Sequence, residues 1–159
     1  MPEDDGSTKE APEKLLSLRA VIDTNIFVSG IINPAGFPGQ ILKALREGAF
    51  TLISSPSINE EILEVLSRPR LKKYRLQDAL FDIGVILSAQ AELIQEKTQV
   101  KASPDPDDDK FLAAAIDGKA RYIVTGDKSG LLQLGEYRGI RVITARTFLS
   151  LVQETKGIS

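Results

Sequence analysis

The sequence contains neither histidine nor cysteine. The first absence removes the commonest general base, the usual imidazole ligand of zinc, and any serine–histidine or cysteine–histidine dyad. The second excludes disulfides, thiolate metal ligands and redox chemistry through sulfur, and agrees with a reducing cytoplasm. A basic excess is also missing: 20 Lys and Arg stand against 22 Asp and Glu, a net charge of −2. Tight, sequence-independent attraction to bulk nucleic acid is therefore disfavoured. No apolar run approaches the roughly 20 residues needed to span a bilayer, and Met1 to Pro12 is too polar and acidic for a signal peptide. These features predict a soluble cytoplasmic protein with no membrane association. For catalysis they leave carboxylates, hydroxyls, lysine and a metal.

The length of 159 residues suits one domain, and 42% hydrophobic with 26% charged residues is ordinary globular composition. Residues 1–16 read as a flexible amino-terminal extension, 17–154 as the folded domain and 155–159 as a tail. Short apolar runs at Leu18–Ile22, Phe50–Ser54, Ala91–Ile94, Arg121–Thr125 and Ile140–Thr144 predict about five strands. Helical patterns separate them: Ile26–Ile32, a stretch stopped by Gly48, one opened by Ser55-Pro56-Ser57, Leu76–Leu87, one opened by Pro106 and ended by Gly118, and Arg146–Gln153. Such alternation predicts an α/β fold, a central parallel sheet between helical layers in a three-layer α/β/α sandwich. Its functional cleft then lies at the carboxyl ends of the strands.

Acidic blocks fall where apolar runs meet helix starts: Asp23, the pair Glu60-Glu61, Asp105 to Asp109, and Asp127. Each has a local explanation. Asp23 can cap a helix, Glu60 and Glu61 can lie on a solvated face, the Asp107–Asp109 run favours a helix amino terminus, and Asp127 suits a turn. Jointly they surround one crevice of a parallel sheet. Converging carboxylates repel unless protons or a cation neutralise them. A hard divalent ion, Mg2+ or Mn2+, matches oxygen ligands from these acids with Thr24, Asn25 and Thr125 beside them.

Four ordered motifs, Val21-Ile22-Asp23-Thr24-Asn25, Ser55-Pro56 with Glu61, Asp105 to Ala113, and Val124-Thr125-Gly126-Asp127, resemble the signature of PIN-domain ribonucleases over about Arg19 to Val152. The resemblance is nearest to the branch described as toxins of toxin–antitoxin systems. It implies a Mg2+- or Mn2+-dependent acidic pocket that hydrolyses RNA phosphodiester bonds. By motif, Asp23, Glu61, Asp109 and Asp127 carry over as catalytic acids, with Asp23, Asp109 and Asp127 on the metal. Asp107 is the rival for the third position. Thr24, Asn25 and Thr125 are assigned to substrate or to supporting the ligands. A protein antitoxin and self-association as a dimer or tetramer are further implications.

A basic stretch, Arg68, Arg70, Lys72, Lys73 and Arg75 with Tyr74 among them, is either an RNA contact or a solvated surface segment. Lys110 and Lys128, beside motif aspartates, are placed for phosphate contact or ion pairing. Two other functions compete. A receiver-type phosphoacceptor domain places an aspartate pair after its first strand and a lone aspartate after a middle strand, whereas the aspartate cluster here comes late. A non-catalytic PIN-like module would bind RNA or a partner through the same surface.

Overall fold

The computed structural model describes residues 18–74, 76–126 and 130–158. The expected extension over residues 1–16 lies outside them, as do Arg75, Asp127 and Lys128. In chain order the elements are β1 (Arg19–Ile22), α1 (Thr24–Ile32), α2 (Phe37–Arg46), β2 (Thr51–Ser54) and α3 (Pro56–Leu66). A 3-10 segment (Pro69–Tyr74) leads to α4 (Leu76–Val85), a π-helical turn (Ile86–Gln90) and β3 (Glu92–Leu93). After a 3-10 turn (Pro106–Asp108) come α5 (Asp109–Asp117), β4 (Tyr122–Val124), α6 (Leu131–Leu134), β5 (Glu136–Tyr137), β6 (Ile140–Ile143) and α7 (Ala145–Ile158). Helix α7 thus runs on past Glu154, into residues that the sequence assigns to a tail.

The sheet has the order β3-β2-β1-β4-β6-β5 and is parallel except for the β5–β6 pair. From β1 the chain builds outward to β2 and β3 on one side, and β4 and β6 fill the other. The topology therefore reverses between β1 and β4, and the crevice at their carboxyl ends is where ligands bind in open α/β sheets. The sequence predicts about five parallel strands; the sixth is β5, an antiparallel edge strand two residues long.

Local chemistry sets the element boundaries. Gly48 sits at φ 74°, the left-handed conformation that ends α2. The Ser55 hydroxyl accepts from the Ile58 amide at 3.4 Å and caps α3, with Pro56 behind it. One continuous core follows from the burial pattern, with Phe27, Phe111, Phe148, Ile22 and Ile26 among its largest members. Helix α5 contributes Phe111 and Leu112 to it, each worth about 1.5–3 kcal/mol by burial. The small side chains of Ala113 to Ala115 let that helix lie close to β1, β2 and β4.

At the amino ends of the strands, the Arg19 guanidinium forks onto Glu92 at 2.9 and 2.7 Å and also donates to the Gly118 carbonyl at 2.7 Å. It ties β1 to β3 and to the end of α5, and holds the Glu92 carboxyl below the usual carboxylate range. No helix among the described residues is long and apolar enough to cross a membrane.

Candidate active site

Strand β1 delivers Asp23 to the crevice. Its amide donates to the Val124 carbonyl at 2.9 Å, continuing the β1–β4 ladder by one rung, and its backbone is extended at the cap position of α1. The carboxylate does not cap that helix. Instead it accepts a hydrogen bond from the Thr125 hydroxyl at 2.6 Å. Asp23 is only 5% exposed and Thr125 fully buried. A buried carboxylate costs free energy unless donors or positive charge meet it, and the Thr125 hydroxyl is one such donor. At α7, by contrast, the Thr144 hydroxyl accepts from the Thr147 amide at 3.3 Å, an ordinary cap.

Glu61 comes to the same crevice from α3. One oxygen accepts from the buried Thr24 hydroxyl at the start of α1, and the other meets the Lys110 ammonium of α5. Glu60 is exposed, so the acidic pair divides, with one member inward and one in solvent. Lys110 is thereby an ion-pair partner, one of the two roles open to it from sequence.

The third acidic block behaves differently. Asp105 caps the 3-10 turn, its Oδ1 accepting from the Asp107 amide at 3.0 Å. Asp107 is exposed. Asp109 is half-buried, and its Oδ1 accepts from the Ser103 amide at 2.8 Å and the Ala102 amide at 3.2 Å, which fixes the preceding loop against α5. At the far end of α5, Asp117 holds the same connection through the Lys97 and Thr98 amides at 2.9 and 3.0 Å. Burial opposes its ionisation, yet these donors with the Thr98 hydroxyl keep its carboxyl below the usual range.

Glu61 is thus linked to the Asp23 segment through Thr24, the next residue, whereas the contacts of Asp109 are to its own loop, its sequence neighbour Lys110 being the one that reaches Glu61. Among the described residues no three carboxylates form a group able to hold a metal ion. The donors present are nevertheless all oxygen, two carboxylates and two hydroxyls, which suits a hard ion that keeps several waters. Glu61 moreover already faces a cation, the Lys110 ammonium.

A cavity of about 440 Å³ has Asn25, Thr125 and Gly126 in its wall and adjoins Asp23 through the Thr125 hydroxyl bond. It also takes in Phe37 and Arg146, which motif reading passes over. The one sequence signal for Arg146 is its place just after a strand end. Among the described residues, none of the motif acids lines this cavity, nor another of about 400 Å³ whose wall includes Leu42, Tyr74, Asp78, Asp82 and Ile83. Tyr74 is half-buried there with the Lys73 ammonium 5.3 Å from its ring centre, and Arg68 pairs with Glu64 at 3.0 Å. Those contacts favour the surface reading of the basic stretch. Beside β1, β2 ends at Ser54 and is followed by Ser55, with no aspartate there to accept a phosphoryl group.

The chain resembles known proteins. The uncharacterized protein MJ1680 of Methanocaldococcus jannaschii is 38% identical over 120 residues, 75% of this chain and 76% of that protein. A chain in the crystal structure of VapBC2 from Rickettsia felis, bound to a DNA fragment from their promoter, shares the fold. It matches with a TM-score of 0.52 at 14% identity, over 79% of this chain and 98% of that one. The PIN domain sequence family matches residues 19–129, a span that holds Asp23, Glu61, Asp109 and Asp127. This chain belongs to the PIN domain family.

Proposed function

We propose that the protein is a Mg2+- or Mn2+-dependent endoribonuclease, the cytoplasmic toxin of a toxin–antitoxin pair. The observation that carries this reading is Asp23, a buried carboxylate at the switch point of the sheet that stands in a cap position without capping. Asp23, Asp109 and Asp127 would hold the ion, and Glu61 would ligate it or orient water. Asp107 is the alternative third acid. Thr125 fixes the rotamer of Asp23 and Thr24 that of Glu61. Asn25, exposed on the cavity wall, is placed to hydrogen-bond a phosphate oxygen. When bound, the ion supplies positive charge for the phosphoryl oxygens and water acidic enough to act without a histidine. A protein antitoxin and self-association belong to the same reading, with Phe81 (73% exposed) and Val85 on α4 as the apolar surface available for assembly.

Water attacks phosphorus and the bond to the 3′ oxygen breaks, so the products carry a 5′-phosphate and a 3′-hydroxyl. Incubation of purified protein with RNA in Mg2+, Mn2+ or chelator, followed by end-group mapping, tests this. Cleavage that persists in chelator, or that leaves a 2′,3′-cyclic phosphate, sinks the proposal.

The Lys110–Glu61 contact is the observation that favours the rival, a non-catalytic binding module whose acids are neutralised internally. The two readings part on Lys110→Met. If Glu61 serves the ion, removing the tethered ammonium raises Mn2+ affinity by about two- to five-fold, the scale of a partly exposed pair. Isothermal titration of Mn2+ reads this directly, and unchanged or weaker affinity removes Glu61 from the metal site.

A further inference from the structure

The cavity beside the acids is built from stretches far apart in sequence: Asn25 and Ser29 of α1, Phe37 at the start of α2, Thr125, and Arg146 in the first turn of α7. Thr125 is a shared wall. Its hydroxyl donates to Asp23 while its residue lines the cavity, so a chain lying across the acids enters this space next. At about 440 Å³ the volume falls in the range of about 300–1,000 Å³ typical of small-ligand pockets.

Two of its residues are not explained by folding. Phe37 is 44% exposed, although α2 already buries Ile41, Leu42 and Leu45 and has Pro38 to fix its first turn. The Arg146 guanidinium stands 5.8 Å from the Phe37 ring centre, itself exposed at the start of a long helix whose amino terminus favours anions. An exposed ring paired with a planar cation, in a cavity that shares Thr125 with Asp23, is the chemistry that takes a base on one surface and its phosphate on the other.

We infer that Phe37 and Arg146 form a subsite for one unpaired RNA nucleotide adjacent to the phosphate at the acids. This rests on the ribonuclease reading and adds two residues that position its substrate. Phe37 stacks on the base, Arg146 pairs with the flanking phosphate, and Asn25 and Ser29 face the base edge or ribose. A base within a duplex has both faces occupied by its neighbours, so stacking on Phe37 is open to an unpaired base. With a net charge of −2 the protein has no general attraction for the polymer, and this local pair carries the recognition.

The test is fluorescence anisotropy with a short fluorescein-labelled single-stranded RNA of mixed sequence, titrated onto the Asp23→Asn protein without divalent ions. Adding Phe37→Ala weakens binding by about ten-fold, within the cost of losing one stacked base, while Phe37→Tyr keeps it and Phe37→Leu does not. Adding Arg146→Ala weakens binding and lowers the slope of log affinity against log salt by about one. A duplex of the same sequence binds more weakly and is indifferent to Phe37→Ala. Equal binding by Phe37→Leu and Phe37→Tyr, or no loss with either alanine, overturns the inference. If the nuclease reading alone fails, wild type does not cleave with metal although these binding differences persist. If the subsite alone fails, wild type cleaves and Phe37→Ala cleaves with unchanged KM.

Discussion

Replacing Asp23 by asparagine is expected to lower metal-dependent RNA cleavage by roughly a hundred- to a thousand-fold, the loss typical when one electrostatic stabiliser of a transition state is removed. The change is nearly isosteric, and an amide oxygen still accepts the Thr125 hydroxyl bond of 2.6 Å. What disappears is the charge. The side chain is only 5% exposed and keeps the Thr125 hydrogen bond, so the variant should fold as wild type does, with a Tm within a few degrees of it. Single-turnover cleavage in Mg2+ or Mn2+, with thermal unfolding followed by circular dichroism, measures both. A rate within a few-fold of wild type excludes Asp23 from the chemistry. A large fall in Tm with lost cleavage assigns it a structural role instead.

The position of Asp23 is legible in the sequence because it depends on local signals: a β-branched run, then an abrupt polar triplet, fixes a strand end, and alternation of elements fixes which end of the sheet that is. The Ser55-Pro56 start of α3 and the stops at Gly48 and Gly118 are legible for the same reason. The hairpin of β5 and β6 is not. Its first strand has two residues, too few for a period, and its turn takes Arg138 and Gly139 at φ 51° and 82°, of which only the glycine is a recognisable signal. The one-turn helix α6 and the π-helical turn after Val85 are likewise below the length at which periodicity speaks.

Within the site, sequence supplies the acids but not their partners. Lys110 and Glu61 lie 49 positions apart, and nothing local distinguishes that pairing from a solvated lysine beside an aspartate run. Nor does the run of aspartates show that Asp105 caps a turn and that Asp109 spends one oxygen on the backbone of its own loop. These choices are settled by where the chain must go before α5, which is a tertiary constraint. Phe37 and, apart from its place after a strand end, Arg146 are hidden for the same reason, each being an ordinary residue until the fold sets one against the other.

Phe148→Ala is the converse of the Asp23 substitution, an expected loss of fold stability that spares the chemistry. Phe148 is fully buried on α7, its ring edge-on to Phe50 at 4.9 Å between centres and tilted against Tyr122 at 6.0 Å. Truncation removes the apolar burial and leaves a cavity between rings that backbone elements hold apart, a cost of about 3–5 kcal/mol. Against a total stability of about 5–15 kcal/mol for a domain, that is a large fraction. Yet Phe50 precedes β2 and Tyr122 opens β4, so the aromatic cluster lies at the amino ends of the strands and Asp23 with Thr125 at the carboxyl ends. The urea midpoint should therefore fall sharply with an unchanged m-value, while cleavage per folded molecule, assayed in the cold without denaturant, stays near wild type. Loss of cleavage in protein that circular dichroism shows to be folded contradicts this separation and implies that α7, which also carries Arg146, has shifted as a unit.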